Sequence, residues 1–211
     1  MKLYVQYGCG LSAPPEWKNF DASPTLRFQN IIIIGGIIKK MSKTKFPSNV
    51  LYGDILKGLP NIELESCDGV YCSHVLEHLS YNDFKIAIKN TYDLLKRGAI
   101  FRCVLPDLYQ YAKKYIEDFN SNDPNASYNF MIKSHLGKIN RAKKFKDKLK
   151  ELYGNSSHLW MWDEHSLGNE LKKVGFTSVR KCSFNDSYDE MFNLVEEEGR
   201  FKEAIAFECI K

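Results

Sequence analysis

Five ionisable side chains in this sequence are of types that move protons: His74, His78, Asp107, His158 and Asp163. An imidazole titrates near neutrality, so it can accept a proton at physiological pH, and a carboxylate can do so where its surroundings raise its proton affinity. His74 and His78 stand four residues apart with Glu77 between them, which puts both rings on one face of a helical turn. That order is not the His-Glu-x-x-His of zinc enzymes, and no third ligand is evident, so no metal site is expected. His78 reads as a packing or capping residue, and His74 as packed or facing a ligand. Asp107 follows Pro106 at the end of an apolar run, where it would face a substrate or cap a helix starting at Leu108. His158 adjoins Trp160 and Trp162 and would contact substrate or make a structural bond; the two tryptophans read as core ahead of a carbohydrate platform.

A second constellation opens the chain. Lys2-Leu-Tyr-Val-Gln-Tyr leads into Gly8-Cys9-Gly10, and Trp17-Lys-Asn-Phe-Asp21 follows. A strand that ends in Gly-x-Gly lets a ligand approach the backbone closely, and an acid then ends a second short strand. A nucleoside cofactor would lie across this pair with its ribose hydroxyls on Asp21. Gly8 to Ala13 formally matches the Gly-x-Gly-x-x-Gly/Ala pattern of dinucleotide enzymes, but that motif needs a helix after the glycines and an acid about 20 residues on. Pro14 and Pro15 deny the helix, Asp21 comes too early, and no Gly-Lys-Ser/Thr is present for a P-loop.

The elements that must hold these residues alternate. Strand-like runs fall at Leu3–Tyr7, Lys18–Asp21, Val50–Tyr52, Cys67–Ser73, Ala99–Leu105, Val179–Phe184 and Ala204–Ile210. Helical periodicity covers Asp83–Leu95, capped by Ser80 or Asn82 and ended by Gly98, then Leu108–Phe119, and Glu164–Val174 stopped by Gly175. Such alternation predicts a parallel sheet with helices on both faces and a ligand at the carboxyl ends of the strands. The last two strands have no clear helix between them and are expected to close the sheet as an antiparallel pair.

The 211 residues fit one domain, 1–211, with insertions at about 24–48 and 120–157 that would form lids or substrate walls. Net charge is +4, too mild to imply nucleic acid by itself. Charge is uneven: Lys133–Lys150 carries eight Lys or Arg against one acid, punctuated by apolar residues at roughly helical spacing. Six scattered cysteines, with no Cys-x-x-Cys, suit buried thiols in a reducing cytoplasm. The longest apolar stretch, Ile31–Ile38, is too short to span a bilayer, and no signal segment is expected before Leu3.

Four stretches, in order, carry a family resemblance: Gln6-Tyr-Gly8-Cys-Gly10 with Trp17–Ser23; Val50-Leu-Tyr-Gly53-Asp54 through Pro60; Asp68–Ser73-His74-Val-Leu-Glu77-His78-Leu; and Leu94–Gly98 through Pro106-Asp107-Leu. The chain resembles the class I S-adenosylmethionine-dependent methyltransferases of the type 11 methyltransferase domain group. Ser157–Leu167, Val174–Phe176 and Ala204–Glu208 are similar to that group as well. The resemblance implies a Rossmann-like α/β fold with a mostly parallel seven-stranded sheet, an antiparallel C-terminal strand and helical insertions. It implies S-adenosylmethionine as cofactor and S-adenosylhomocysteine as product. The implied cofactor contacts are Gln6, Tyr7, Gly8, Gly10, Asp21, Ala22, Asp54, Ile55, Ser73 and His74, with Asp21 on the ribose, Asp54 on the adenine amine and Ile55 against the ring. From the proton-moving candidates the expected catalytic set is His74, His158 and Asp107, one histidine acting as base. Two positions depart from the group: Gln6 stands where an acid is common, and Arg97-Gly98-Ala99 where Pro-Gly-Gly is usual. The expected reaction is methylation of a small acceptor, at oxygen, on a sugar or an anionic or nucleotide-linked glycan precursor. The alternatives are an RNA methyltransferase, drawn from the basic run, and a non-catalytic scaffold, drawn from Gln6. Modest total charge and the lack of an appended RNA module argue against nucleic acid.

Overall fold

The structure is a computed structural model that describes residues 2–29, 45–140 and 157–211. All of Ile31–Ile38 and the basic run from residue 141 on, Phe145 and Leu149 included, lie outside the described residues. Seven strands form one sheet: β1 Tyr4–Tyr7, β2 Lys18–Asp21, β3 Val50–Tyr52, β4 Cys67–Ser73, β5 Leu95–Pro106, β6 Ser178–Lys181 and β7 Ala204–Ile210. Their order is β3-β2-β1-β4-β5-β7-β6. The first five pair in parallel, and β7 runs antiparallel to both β5 and β6. The described α-helices are α1 Pro24–Gln29, α2 Tyr81–Leu94, α3 Leu108–Asn120, α4 Ala126–Lys133 and α5 Glu164–Val174.

The central strands read as near-continuous apolar runs because both faces of the sheet are covered. On one face α2 and α5 bury Phe84, Ile88, Leu167 and Leu171 against Val5, Val70, Phe101 and Phe207. Trp162 joins this core, its ring 4.2 Å from that of Phe84. On the other face Tyr4, Trp17 and Tyr71 pack around Phe192, which is carried by a short 3-10 turn between β6 and β7. The absence of a helical period before Ala204 is thus real: among the described residues this connection holds only two 3-10 turns, Glu190–Leu194 and Glu198–Phe201.

Charge fastens that connection to the sheet. Arg102 of β5 is fully buried, and its guanidinium donates to Glu196, Glu208, Asp186 and the Ser183 carbonyl. Asp186 and Glu196 of this connection, with Glu208 of β7, therefore supply the counter-charges of one buried cation.

Gly98 corrects one expectation. Ser80 caps α2 as expected, accepting from the Asp83 amide, but the helix ends at Leu94 and passes directly into β5. Gly98 lies inside that strand with φ +78°, where the β4–β5 register shifts between Cys67 and Gly69. Its left-handed backbone serves a bulge, not a helix cap. At the other end of α5, Gly175 stops the helix as its spacing predicts.

Candidate functional site

Because β1 to β5 run in parallel, Gly8, Ala22, Asp54, His74 and Asp107 all fall at one edge of the sheet, just past the carboxyl ends of their strands. The glycine turn is tied in from both sides. Gly8 and Gly10 have φ of +66° and +56°. The Cys9 amide donates to the Phe20 carbonyl at 3.1 Å. Asp21 accepts from the Gly10 amide at 3.0 Å and from the Ser23 amide at 2.7 Å, one bond on each carboxylate oxygen. A carboxylate has about four lone-pair sites, so two remain for a diol. Cys9 lies between the glycines, but burial pushes its thiol up to about 12, so it stays protonated and unreactive.

Gln6 explains its own departure from the family pattern. Its amide nitrogen donates to the Ser12 carbonyl at 2.9 Å and to Asn19 Oδ1 at 2.6 Å, pinning the turn to β2. An acid there could make neither bond. Tyr7 presents its backbone to the site: its ring is buried and its hydroxyl meets Thr91 Oγ1 of α2 at 3.1 Å. Ile55 is likewise packed into the main core. Asp54 turns its own loop, accepting from the Leu56 amide at 3.0 Å.

A narrow cleft beside the turn is lined by Gln6, Gly8, Ser12, Ser73 and Arg200, with Tyr71 beneath. The hydroxyls of Tyr71 and Ser73 are buried there without hydrogen-bond partners. Sequence reasoning passed over Arg200 and Tyr71, since nothing in their local pattern distinguishes them from surface and core residues.

His74 and His158 do come together, and Glu77 joins them. His74 follows β4 with φ +54°, a backbone state uncommon for a residue with a side chain. The chain then makes the 3-10 turn Leu76–His78. The Glu77 carbonyl accepts from the amides of Leu159 and Trp160 at 2.8 and 3.1 Å, which lays the His158 segment onto this turn. Glu77 Oε1 is 3.4 Å from His74 Nδ1, 3.8 Å from His78 Nε2 and 3.9 Å from His158 Nε2. Glu77 is buried; its Oε1 faces these rings with His74 nearest, and its Oε2 has no hydrogen-bond partner. The third group that the sequence seemed to lack is thus delivered by the fold, from eighty residues downstream of His78.

The two histidines differ in charge preference. Burial pulls the His74 ring down, but the Glu77 carboxylate and the Arg200 carbonyl that its nitrogens face raise it overall. Burial lowers His158, and its neighbours His78 and His135 oppose a second cation there. Of the carboxylates, Asp107 caps α3, accepting from the Tyr109 amide at 3.0 Å, and burial raises its pKa. Asp163 caps α5 in a reciprocal box with Ser166, which accounts for it structurally. Trp162 is core as expected, whereas Trp160 is exposed beside Tyr81.

Comparison with known proteins fits this geometry. Residues 27–103 match the family model of a methyltransferase domain. A search of curated proteins finds no match. Among solved structures, a SAM-dependent methyltransferase from Archaeoglobus fulgidus is similar at 18% identity and TM-score 0.52, covering 100% of this chain and 86% of that one. A Thermotoga maritima SAM-dependent methyltransferase, a possible histamine N-methyltransferase, is similar at 16% identity and TM-score 0.50, covering 100% and 83%. An O-methyltransferase family protein from Burkholderia thailandensis is similar at 12% identity and TM-score 0.51, covering 100% of this chain and 51% of that one. At these identities the likeness is one of fold. The chain has the class I, Rossmann-like methyltransferase fold, and part of it, residues 27–103, matches the methyltransferase domain model.

Proposed function

We propose that the chain transfers the methyl group of S-adenosylmethionine to an oxygen of a small acceptor. The observation that carries this reading is the glycine turn after β1, held by Asp21 at the end of β2 and flanked by Ser73-His74 at the end of β4. Gly8 and Gly10 offer a backbone cradle, Asp21 keeps lone pairs for ribose hydroxyls, and the unpartnered Ser73 hydroxyl is a ready hydrogen-bonding group. These residues fit an adenosyl-amino-acid cofactor better than a dinucleotide, since no helix begins at the glycines to receive a pyrophosphate. Such a cofactor supplies an electrophilic methyl on a sulfonium, so this chain's residues have mainly to bind, orient and exclude water. Arg200 and Val195 would close the cleft from the connection before β7.

We assign the acceptor end to His74, His158 and Asp107. The basic run supports an anionic acceptor such as a phosphorylated or nucleotide-linked sugar of glycan synthesis. Six free, buried cysteines support a reducing, cytoplasmic setting, and no described helix is long and apolar enough to cross a membrane. The test is calorimetric titration with S-adenosylhomocysteine and with NAD, followed by turnover assays on candidate sugar nucleotides. Binding of the first but not the second supports the reading; steeply salt-dependent RNA binding would favour an RNA substrate instead.

A further inference from the structure

We propose that Glu77, His78 and His158 form a site for a divalent transition-metal ion. One ligand atom from each lies within 4.8 Å of the others. The strongest sign is Glu77 itself: a buried carboxylate with only His74 Nδ1, at 3.4 Å, close to Oε1 and no hydrogen-bond partner on Oε2 is under-satisfied, and native structures rarely leave one so.

The histidines around it are set as ligands. His78 Nδ1 stands 3.0 Å from the Ser157 carbonyl, an acceptor only, so Nδ1 carries the proton and Nε2 keeps its lone pair. His158 Nδ1 stands 3.2 Å from the Met161 sulfur, a weak acceptor, and its Nε2 likewise faces Glu77. Two ring nitrogens and a carboxylate oxygen then converge at 3.8 and 3.9 Å, too far for hydrogen bonds with one another. Ligands on a tetrahedral zinc, at about 2.0–2.1 Å each, sit roughly 3.3 Å apart, so contraction by about half an ångström would close these two contacts on one ion. The Ser157 carbonyl acts as the outer partner that fixes a ligating imidazole's tautomer. His74 Nδ1, 3.4 Å from the same Glu77 oxygen, can hold the carboxylate in place.

Two imidazoles and one carboxylate suit Zn²⁺, Co²⁺, Ni²⁺ or Fe²⁺ and not Mg²⁺ or Ca²⁺, which prefer all-oxygen shells. Three protein ligands leave an open position beside the carboxyl end of β4. An acceptor oxygen could take it; that use rests on the methyl-transfer reading, whereas the site itself does not.

The test is titration of the full-length, EDTA-stripped chain with Zn²⁺ by calorimetry and with Co²⁺ by visible absorption, alongside S-adenosylhomocysteine. One Zn²⁺ per chain is expected, with Zn²⁺ raising the melting temperature. Loss of an outer-shell partner typically weakens metal binding 10- to 100-fold, so loss of a ligand in Glu77→Gln, His78→Ala or His158→Ala should cost at least about 100-fold. His165→Ala, on the exposed side of α5, should bind as the wild type does. Glu77→Gln is isosteric and removes a buried charge, so its melting temperature in EDTA should equal or exceed that of the wild type, and Zn²⁺ should no longer raise it. A chain that takes up S-adenosylhomocysteine but neither metal overturns the site and leaves methyl transfer standing. Metal binding unchanged in Glu77→Gln and His158→Ala also overturns it. Metal binding without S-adenosylhomocysteine binding supports the site and removes the acceptor role.

Discussion

Gly8 has two separate reasons to be glycine, and Gly10 has one. Both have left-handed backbones, but a Cβ on Gly8 would meet Val75 Cγ2 at 2.1 Å, whereas one on Gly10 would meet nothing within 4 Å. Gly10→Ala should therefore cost only about 1–2 kcal/mol, the left-handed penalty. Gly8→Ala should cost clearly more, because Val75 must move and with it the turn that carries His74 and Glu77. Urea denaturation of the two variants checks the order; equal losses would show that Val75 yields freely. Asp21 carries a double load as well. Sequence alone suggests a pocket carboxylate whose removal leaves the fold untouched, but here it satisfies the Gly10 and Ser23 amides. Asp21→Ala should lower stability by roughly 1–3 kcal/mol in addition to weakening cofactor binding. A variant with wild-type stability would contradict that account. At this scale the sequence shows residue types but not their partners. Gln6 reads as a departure from a pattern until its amide is seen bridging Ser12 and Asn19. Glu77 reads as a spacer between histidines until His158 arrives beside it.

Elements are more legible than partners because their signals are local. The caps at Ser80 and Asp107 and the stop at Gly175 sit where residue type places them, whereas Asp163, read as a proton acceptor, is a cap too. Gly98 misleads because a left-handed residue serves a helix end and a strand bulge equally well. The capping role gives a clean test for Asp163: Asp163→Ala should lose about 1 kcal/mol of stability with turnover unchanged. A large fall in kcat with little loss of stability would return Asp163 to the chemistry. The tie between β5, β7 and the connection before β7 is Arg102. Replacing it with Met strands the buried Glu196, whereas Glu208 keeps Arg180 and Ser187, and the expected cost is about 3–5 kcal/mol. Adding Glu196→Gln to that variant should restore much of the loss in urea denaturation. No recovery would mean that Arg102 matters for its packing and not for its charge.

For the whole molecule, the alternation of strand and helix and the unhelical stretch before Ala204 suffice to reach the sheet and its antiparallel close. What the pattern cannot carry is contact across distance: the Arg102 network and the Glu77 cluster each join residues some eighty or more positions apart. Global stability should fall with acid in a way traceable to Asp68. Burial alone would raise this carboxyl, but its bonds to Lys96 and to the Leu3 amide lower it below its ordinary value. A carboxylate held low in the folded state stabilises above its unfolded pKa, and that contribution is lost as pH falls through the folded value. Asp68→Asn should accordingly lose less melting temperature than the wild type between neutral pH and about pH 3. An unchanged acid profile would remove Asp68 from the account.

The central claim is that the glycine turn and Asp21 receive S-adenosylmethionine. Calorimetry on the wild type and on Asp21→Ala, with S-adenosylhomocysteine and with NAD, tests it most directly. The account predicts S-adenosylhomocysteine binding by the wild type, weakened by roughly 1–3 kcal/mol in the variant, and no binding of NAD. Tight NAD binding with no response to S-adenosylhomocysteine would contradict it.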